Sequence, residues 1–203
     1  MALTIQAGSK KIPVDLNIAP QMWPVTHGTG DKRLVVLHET VSPDYPGFAD
    51  ILSVARYMPS QGYGIHGIID GEGYLGWAMG LRDSVLYHTA SNGGSVNTKS
   101  IGIELVSRVM LDKPDRQSRF QWWWNRDKQI EKLAQVLAFI SRADGIPLVY
   151  SDGVADGITT HWQVTQTYKV PGGHTDCWPA HLGGYFPVNR IIWRARQLKA
   201  QGF

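Results

Sequence analysis

Arg33-Leu34-Val35-Val36-Leu37-His38 is the stretch on which the fold turns. Four consecutive apolar residues without polar alternation read as a buried strand. The run ends on a histidine, and Glu39-Thr40 follow as a polar exit. A histidine at the end of an apolar strand is held on rigid backbone with its ring at the sheet's rim, where sites are usually built. For a lone histidine, a core role donating to a backbone carbonyl is the commoner reading.

Outward from this strand, helical and strand patterns alternate. Residues 48–60 carry apolar positions at Phe48, Ile51, Leu52, Val54, Ala55 and Tyr57 and read as a helix. Ile65 to Ile69 reads as a short strand, Asp70-Gly71-Glu72-Gly73 as a turn, and Tyr74 to Trp77 as the returning arm of a hairpin. Ser100 to Val106 reads as another strand, with Glu104 inside it. Residues 127–142 place Ile130, Leu133, Ala134, Leu137 and Ile140 on one helical face, and Gly145 and Pro147 end the pattern. Residues 188–200 read as a last helix whose outer face carries Arg190, Arg194, Arg196 and Lys199. Residues 1–30, with Pro13, Pro20 and Pro24, read as irregular. The expected organisation is an N-terminal arm over 1–32 and one globular unit over 33–203. Its fold class is α/β, with a mixed central sheet flanked by helices.

Composition narrows the classes. A chain of 203 residues, 43% hydrophobic and 18% charged, fits one globular domain with a full core. The net charge of +3 suits an anionic partner such as a cell wall and is too weak to argue for nucleic acid. Cys177 is the only cysteine, so no internal disulfide forms. Met1 to Pro13 lacks an apolar core of signal-peptide length, and no segment approaches a membrane span. The expectation is synthesis in the cytoplasm without a secretory signal and without stable membrane insertion. Eight tryptophans, three of them consecutive at Trp122-Trp123-Trp124, fit either a sugar-binding surface or a core edge.

Several polar residues stand out as chemistry. Two strand-end histidines, His38 and His161, plus a carboxylate would make a three-ligand zinc site with one position open, the arrangement of a metallohydrolase. His161 opens a stretch that closes on Gly173-His174-Thr175-Asp176. Glu104 sits between Ile103 and Leu105. Facing inward, it would be costly unless paired or used, and burial would raise its pKa toward that of a general acid or base. Alternation equally allows it to face outward. His66 and His88 orient substrate, support another site residue from behind, or are ordinary surface histidines. His174, two residues before Asp176, is a nearby proton donor if Asp176 binds metal, and His-Thr-Asp alone reads as a capped turn.

Five pieces in order resemble the zinc-dependent N-acetylmuramoyl-L-alanine amidases of phage endolysins, peptidoglycan-recycling amidases and peptidoglycan recognition proteins. They are Val35-Val36-Leu37-His38, Ile65 through Gly73, Tyr87-His88-Thr89-Ala90, Ser100 through Leu105, and His161 through Asp176. The resemblance implies zinc ligands His38, His161 and Asp176, a catalytic Glu104, and a groove-lining His88. It puts His174 where the family usually has a lysine that stabilises the developing oxyanion. There are departures. Ile65 stands where some relatives have a catalytic tyrosine, with Tyr63 near. The fifteen-residue separation of His161 and Asp176 is long for the family. A rival register makes His174 the second ligand, with Asp176 or Cys177 the third; the first register is preferred.

The resemblance implies hydrolysis of the amide joining N-acetylmuramic acid to L-alanine of bacterial peptidoglycan, with Zn2+ as cofactor. It implies a phage or prophage lysin that reaches the wall with the help of a holin-type pore-forming protein. The alternatives are a non-catalytic peptidoglycan-binding recognition protein and a cytoplasmic recycling amidase.

Overall fold

A computed structural model describes residues 3–7, 10–40, 42, 48–90, 95–170 and 173–203. In chain order the strands and helices are β1 (Leu3–Ala7), β2 (Lys10–Val14), β3 (Leu16–Asn17), α1 (Ala19–Met22), β4 (Thr26–Thr29), β5 (Leu34–Glu39), α2 (Ala49–Ser60), β6 (Gly67–Ile69), β7 (Leu75–Trp77), β8 (Ser84–Leu86), α3 (Ser95–Lys99), β9 (Ser100–Leu105), α4 (Val109–Asp112), α5 (Arg116–Trp124), α6 (Asp127–Asp144), β10 (Gly157–Thr160), α7 (His161–Tyr168) and α8 (Val188–Ala200). The central sheet runs β10-β5-β9-β6-β7-β3. β10, β5, β9 and β6 are parallel, and β7 turns back antiparallel as the expected hairpin. The architecture is therefore the expected α/β fold with a mixed central sheet.

β5 and β9 are buried along their whole length. Each strand serves two cores because its side chains alternate. Val35 and Leu37 of β5 join Ile101, Ile103 and Leu105 of β9 in the core beneath α6 and α8. Leu34 and Val36 point the other way, with Val164 of α7. On β9 that second face reads Ser100, Gly102, Glu104. His38 pairs in register with Glu104 at the carboxyl end of the two strands. The polar face of β9 is thus roofed over, and the outward reading of Glu104 is overturned: it is buried.

α6 presents the expected apolar face and ends on Gly145 in the left-handed conformation at φ 72°. α8 packs against it, and the cations of its outer face are engaged. Arg190 bonds Asp127 at 2.7 Å, and Arg194 holds Glu131 through two bonds of 2.7 and 2.9 Å. Arg196 donates to the Leu148 carbonyl and Lys199 to Ser141. These cations tie α8 to its neighbours and do not form a free patch for an anionic wall.

The N-terminal segment also differs from the expected irregular arm. Its residues 1–2 and 8–9 lie outside the described residues. The rest forms the β1–β2 hairpin and the edge strand β3, with Ile5, Ile12, Val14, Ile18 and Met22 buried. The prolines are absorbed at a strand position, Pro13, and at the starts of short helices, Pro20 and Pro24, where a missing N–H is tolerated. Of the tryptophan triplet, Trp123 is wholly buried, and the α5 helix leaves Trp124 exposed.

Gly102 is the position where the sheet makes room for the histidines above it. A Cβ there would lie 2.6 Å from Cγ of His88 and 2.6 Å from Cδ1 of Ile65. The His88 ring cannot move aside freely, because both of its nitrogens are hydrogen-bonded. Gly102→Ala should therefore destabilise the fold by about 1–3 kcal/mol, the usual cost of overpacking. Urea unfolding measures this; an unshifted midpoint would mean that the His88 layer is loosely held.

Candidate active site

Three parallel strands end side by side, and each delivers a polar group to the same edge of the sheet. β5 delivers His38 and Glu39, β9 delivers Glu104, and β10 passes directly into α7 at His161. Carboxyl ends of parallel strands are where α/β folds build sites. The strand-to-helix switch at His161 is fixed by Thr160, whose side chain caps α7 by accepting from the Gln163 N–H. The loop carrying Asp176 is pinned twice. The Trp162 N–H donates to the Asp176 carbonyl at 3.0 Å, and the Glu39 N–H donates to Asp176 Oδ2 at 3.2 Å.

His38 Nδ1 and His161 Nδ1 lie 3.1 Å apart. Asp176 Oδ1 is 3.3 Å from His161 Nδ1, and Oδ2 is 3.8 Å from His38 Nδ1. Tetrahedral ligands at ordinary zinc distances sit about 3.3–3.5 Å from one another. All three residues are buried, and Asp176 Oδ1 has no hydrogen-bond partner among the described residues. An orphaned buried carboxylate oxygen facing two imidazole nitrogens is the donor set a divalent cation would satisfy. The residues present fit such an ion.

The electrostatics agree. Burial, and then the nearby His161 and His88, hold His38 well below the ordinary imidazole pKa, so its ring is neutral as a ligand must be. Burial opposes ionisation of Asp176, but His161, His38 and the Glu39 N–H outweigh it and bring the carboxyl down to about 2. Glu104 moves the opposite way. Burial first, and then the Asp176 and Glu39 carboxylates, push it well above the ordinary carboxylate range. Among the described residues Glu104 has no hydrogen-bond donor, yet it lines the cleft together with His38, His161, His174 and Asp176.

His174 lies at the surface with its ring stacked on that of His161, centroids 4.8 Å apart. Its Nδ1 is 3.8 Å from Asp176 Oδ1. Cys177, the ligand of the rival register, is buried in the main core and takes a left-handed φ of 55°. That turn, not an extended backbone, separates its side chain from that of Asp176. Burial raises its thiol pKa far above the ordinary value.

Of the two expected substrate contacts, His88 lines the cleft and His66 does not. His66 is buried away from the cleft, and both nitrogens are engaged: Nε2 with the Ser84 carbonyl at 3.0 Å, and Nδ1 as acceptor from the Gly102 N–H at 3.0 Å. It bridges β6 to its neighbours and has no atom left for substrate. His88 lines the cleft, but its nitrogens are held by His38 and Ser100, so it supports a ligand.

One residue was missed. Glu39, read only as part of a polar exit, accepts from Ser107 Oγ at 2.8 Å and from the Tyr185 hydroxyl at 2.9 Å. Burial raises its pKa to about 7, against the lowering effect of those two donors. The available signal was its place inside the buried strand. Its partners, 68 and 146 residues away, carry no local mark.

The cleft over these residues has a volume of about 570 Å³ and is walled on one side by Val54, Tyr57 and Met58 of α2 with Tyr63 beyond. Among solved structures, the chain resembles Staphylococcus aureus hydrolase AmiA in complex with its ligand, at 18% identity and TM-score 0.57, over 86% of this chain and 77% of that one. It resembles the catalytic domain of XlyA at 15% identity and TM-score 0.59, over 91% and 99%. It also resembles the Ph2119 endolysin from Thermus scotoductus MAT2119 bacteriophage Ph2119, at 14% identity and TM-score 0.55, over 89% and 97%. At these identities the likeness is one of fold. No curated protein sequence matches the chain. The sequence model of the N-acetylmuramoyl-L-alanine amidases (Amidase_2) matches residues 28–179, which take in the first strand-end histidine and the last carboxylate of the site. On that match the chain belongs to the N-acetylmuramoyl-L-alanine amidase family and is an amidase.

Proposed function

We propose that the chain is a zinc-dependent amidase that cuts the bond between the lactyl group of N-acetylmuramic acid and L-alanine in bacterial peptidoglycan, acting as a phage or prophage lysin. The carrying observation is the convergence of His38, His161 and Asp176 donor atoms, all within 4.8 Å, beside the buried Glu104. When held by these three residues, zinc would supply Lewis acidity toward the scissile carbonyl and a water acidic enough to ionise near neutral pH. Glu104 takes the proton of the attacking water and returns it to the leaving amine. No described residue donates a hydrogen bond to it, which suits that transfer. His174, exposed at the mouth, donates to the developing oxyanion, a contribution of about 3 kcal/mol in comparable sites.

The lysin role is supported by the cleft's aromatic rim. Tyr57 and Tyr63 are 64% and 49% exposed, which suits the sugars of a wall polymer. The similarity in fold to the Ph2119 endolysin points the same way. No helix among the described residues is long and apolar enough to cross a membrane. A lysin of this kind acts on the wall after release from the cytoplasm through a holin-type pore.

Mass analysis of digested peptidoglycan tests the bond cut: free L-alanine amino termini on released stem peptides are expected. Sugar-sugar cleavage or peptide cross-link cleavage alone would refute the reading. Zinc content of His38→Ala, His161→Ala and Asp176→Ala should fall to a small fraction, whereas Cys177→Ser keeps the metal. Full zinc retention in His161→Ala, or loss in His174→Ala, would return the site to the rival register.

Glu104→Gln should keep zinc while hydrolysis falls by about 10²–10⁴-fold, the share of a general base. Near-normal turnover would move the base role elsewhere. The same variant has a signature without metal. The Glu104 pKa is raised on folding, so its contribution to stability is full below the unfolded value of about 4.5 and is lost as pH rises toward the folded value. In chelator-stripped protein, Glu104→Gln should therefore gain Tm over wild type as pH rises above about 4.5, and then level off. A difference independent of pH would mean that the carboxyl is not desolvated.

A further inference from the structure

His38 Nε2, the nitrogen facing away from the cation site, lies 3.0 Å from His88 Nδ1. His88 Nε2 lies 2.9 Å from Ser100 Oγ, and that hydroxyl donates to the Val96 carbonyl at 2.7 Å. A carbonyl only accepts, so every bond in this chain takes its direction from the far end. Ser100 places its one proton on Val96 and must accept from His88 Nε2–H. His88 has no carboxylate on either nitrogen, and a charged ring buried there would stand unpaired, so it is neutral with a bare Nδ1. His38 Nε2 must then donate to it. That leaves the His38 lone pair on Nδ1, the atom 3.1 Å from His161 Nδ1.

We infer that Ser100 and His88 are positioning residues that set the tautomer of His38, keeping its proton on Nε2 and presenting a bare Nδ1 to the cation site. The inference rests on the metal reading above. Were His88 to carry its proton on Nδ1, His38 Nε2 would have to accept, the His38 proton would move to Nδ1, and the ligand lone pair would be blocked. The surroundings hold the relay in place. Asn97, buried in α3, accepts from the backbone N–H groups of His88 and Thr89 at 3.0 Å each. Gly102 leaves the space into which the His88 ring lies. Relays of this kind behind metal-ligating histidines typically change metal affinity by about 10–100-fold when broken.

Long-range ¹H–¹⁵N correlation spectra of the metal-free protein read the tautomers directly. His38 and His88 are both expected as Nε2–H forms. Ser100→Ala should mix the tautomers of both rings and weaken zinc binding, in competition with a chromogenic chelator, by about 10–100-fold. Ser100→Thr, which retains the hydroxyl, should restore both readouts. A proton on Nδ1 of His38 in the metal-free wild type, or unchanged zinc affinity in a folded Ser100→Ala, would overturn the inference. If Ser100→Ala fails to fold, the wild-type spectrum decides alone. A wild type with the expected tautomers that takes up no zinc upholds the relay and sinks the metal reading instead.

Discussion

Six ionisable side chains, His38, Glu39, His88, Glu104, His161 and Asp176, are buried together at one end of a parallel sheet, and the rest of the site depends on how that burial is tolerated. Each alone would be costly away from water. The fold divides five of them into two groups and leaves Glu104 in neither. Glu39 and His88 are hydrogen-bonded at every polar side-chain atom. The three prospective ligand atoms face one another, and Asp176 Oδ1 has no hydrogen bond among the described residues. The first group stiffens the second. Rigid placement of ligands by their supports is what a metal site on strands requires, and loops alone hold such geometry less well.

Much of this was legible in the sequence because it is written in local pattern. The run Leu34–Leu37 gave the buried strand and put His38 at its end. The apolar face of 127–142 and its terminal glycine gave α6. Glu104 between two apolar residues signalled an unusual environment, although which face it occupied depended on what roofed β9, and that was out of reach of alternation alone. His161 stood out by its strand-end position and Asp176 through the resemblance, and the strand-to-helix switch at Thr160 shows how residues fifteen apart come together. The intervening chain makes α7 and returns, pinned by the Trp162–Asp176 backbone bond.

What stayed hidden was pairing across long separations. The pairing of the α8 cations had no local mark, because Asp127 and Glu131 lie on another helix. The prolines of the first thirty residues suggested an arm, yet the edge of the sheet recruits Leu16–Asn17 beside β7, and the hairpin before it buries Ile5 and Ile12. Tertiary packing overrode a weak local signal, as it does most readily at strand edges, where propensity is most dependent on context. His66 and His88 looked equivalent by sequence. They part because one lies within the sheet, with Ser84 and Gly102 as partners, and the other lies across Gly102 with its ring against His38.

The two glutamates near the prospective ligands show how environment, not residue type, sets a group's state. Both are buried, both have raised pKa values, and both line the cleft. Glu39 accepts hydrogen bonds from Ser107 and Tyr185 on its two oxygens, and its own N–H donates to Asp176. Those two bonds hold the Glu39 carboxyl in place. Glu104 receives nothing from the described residues, and its rise in pKa comes from burial and two neighbouring carboxylates. A cation at the site would offset that repulsion and draw Glu104 back toward its charged, proton-accepting form. On the proposed reading, Glu104 would be made ready by the same ion that readies the water, while Glu39, one strand away, keeps the two bonds that hold it in place.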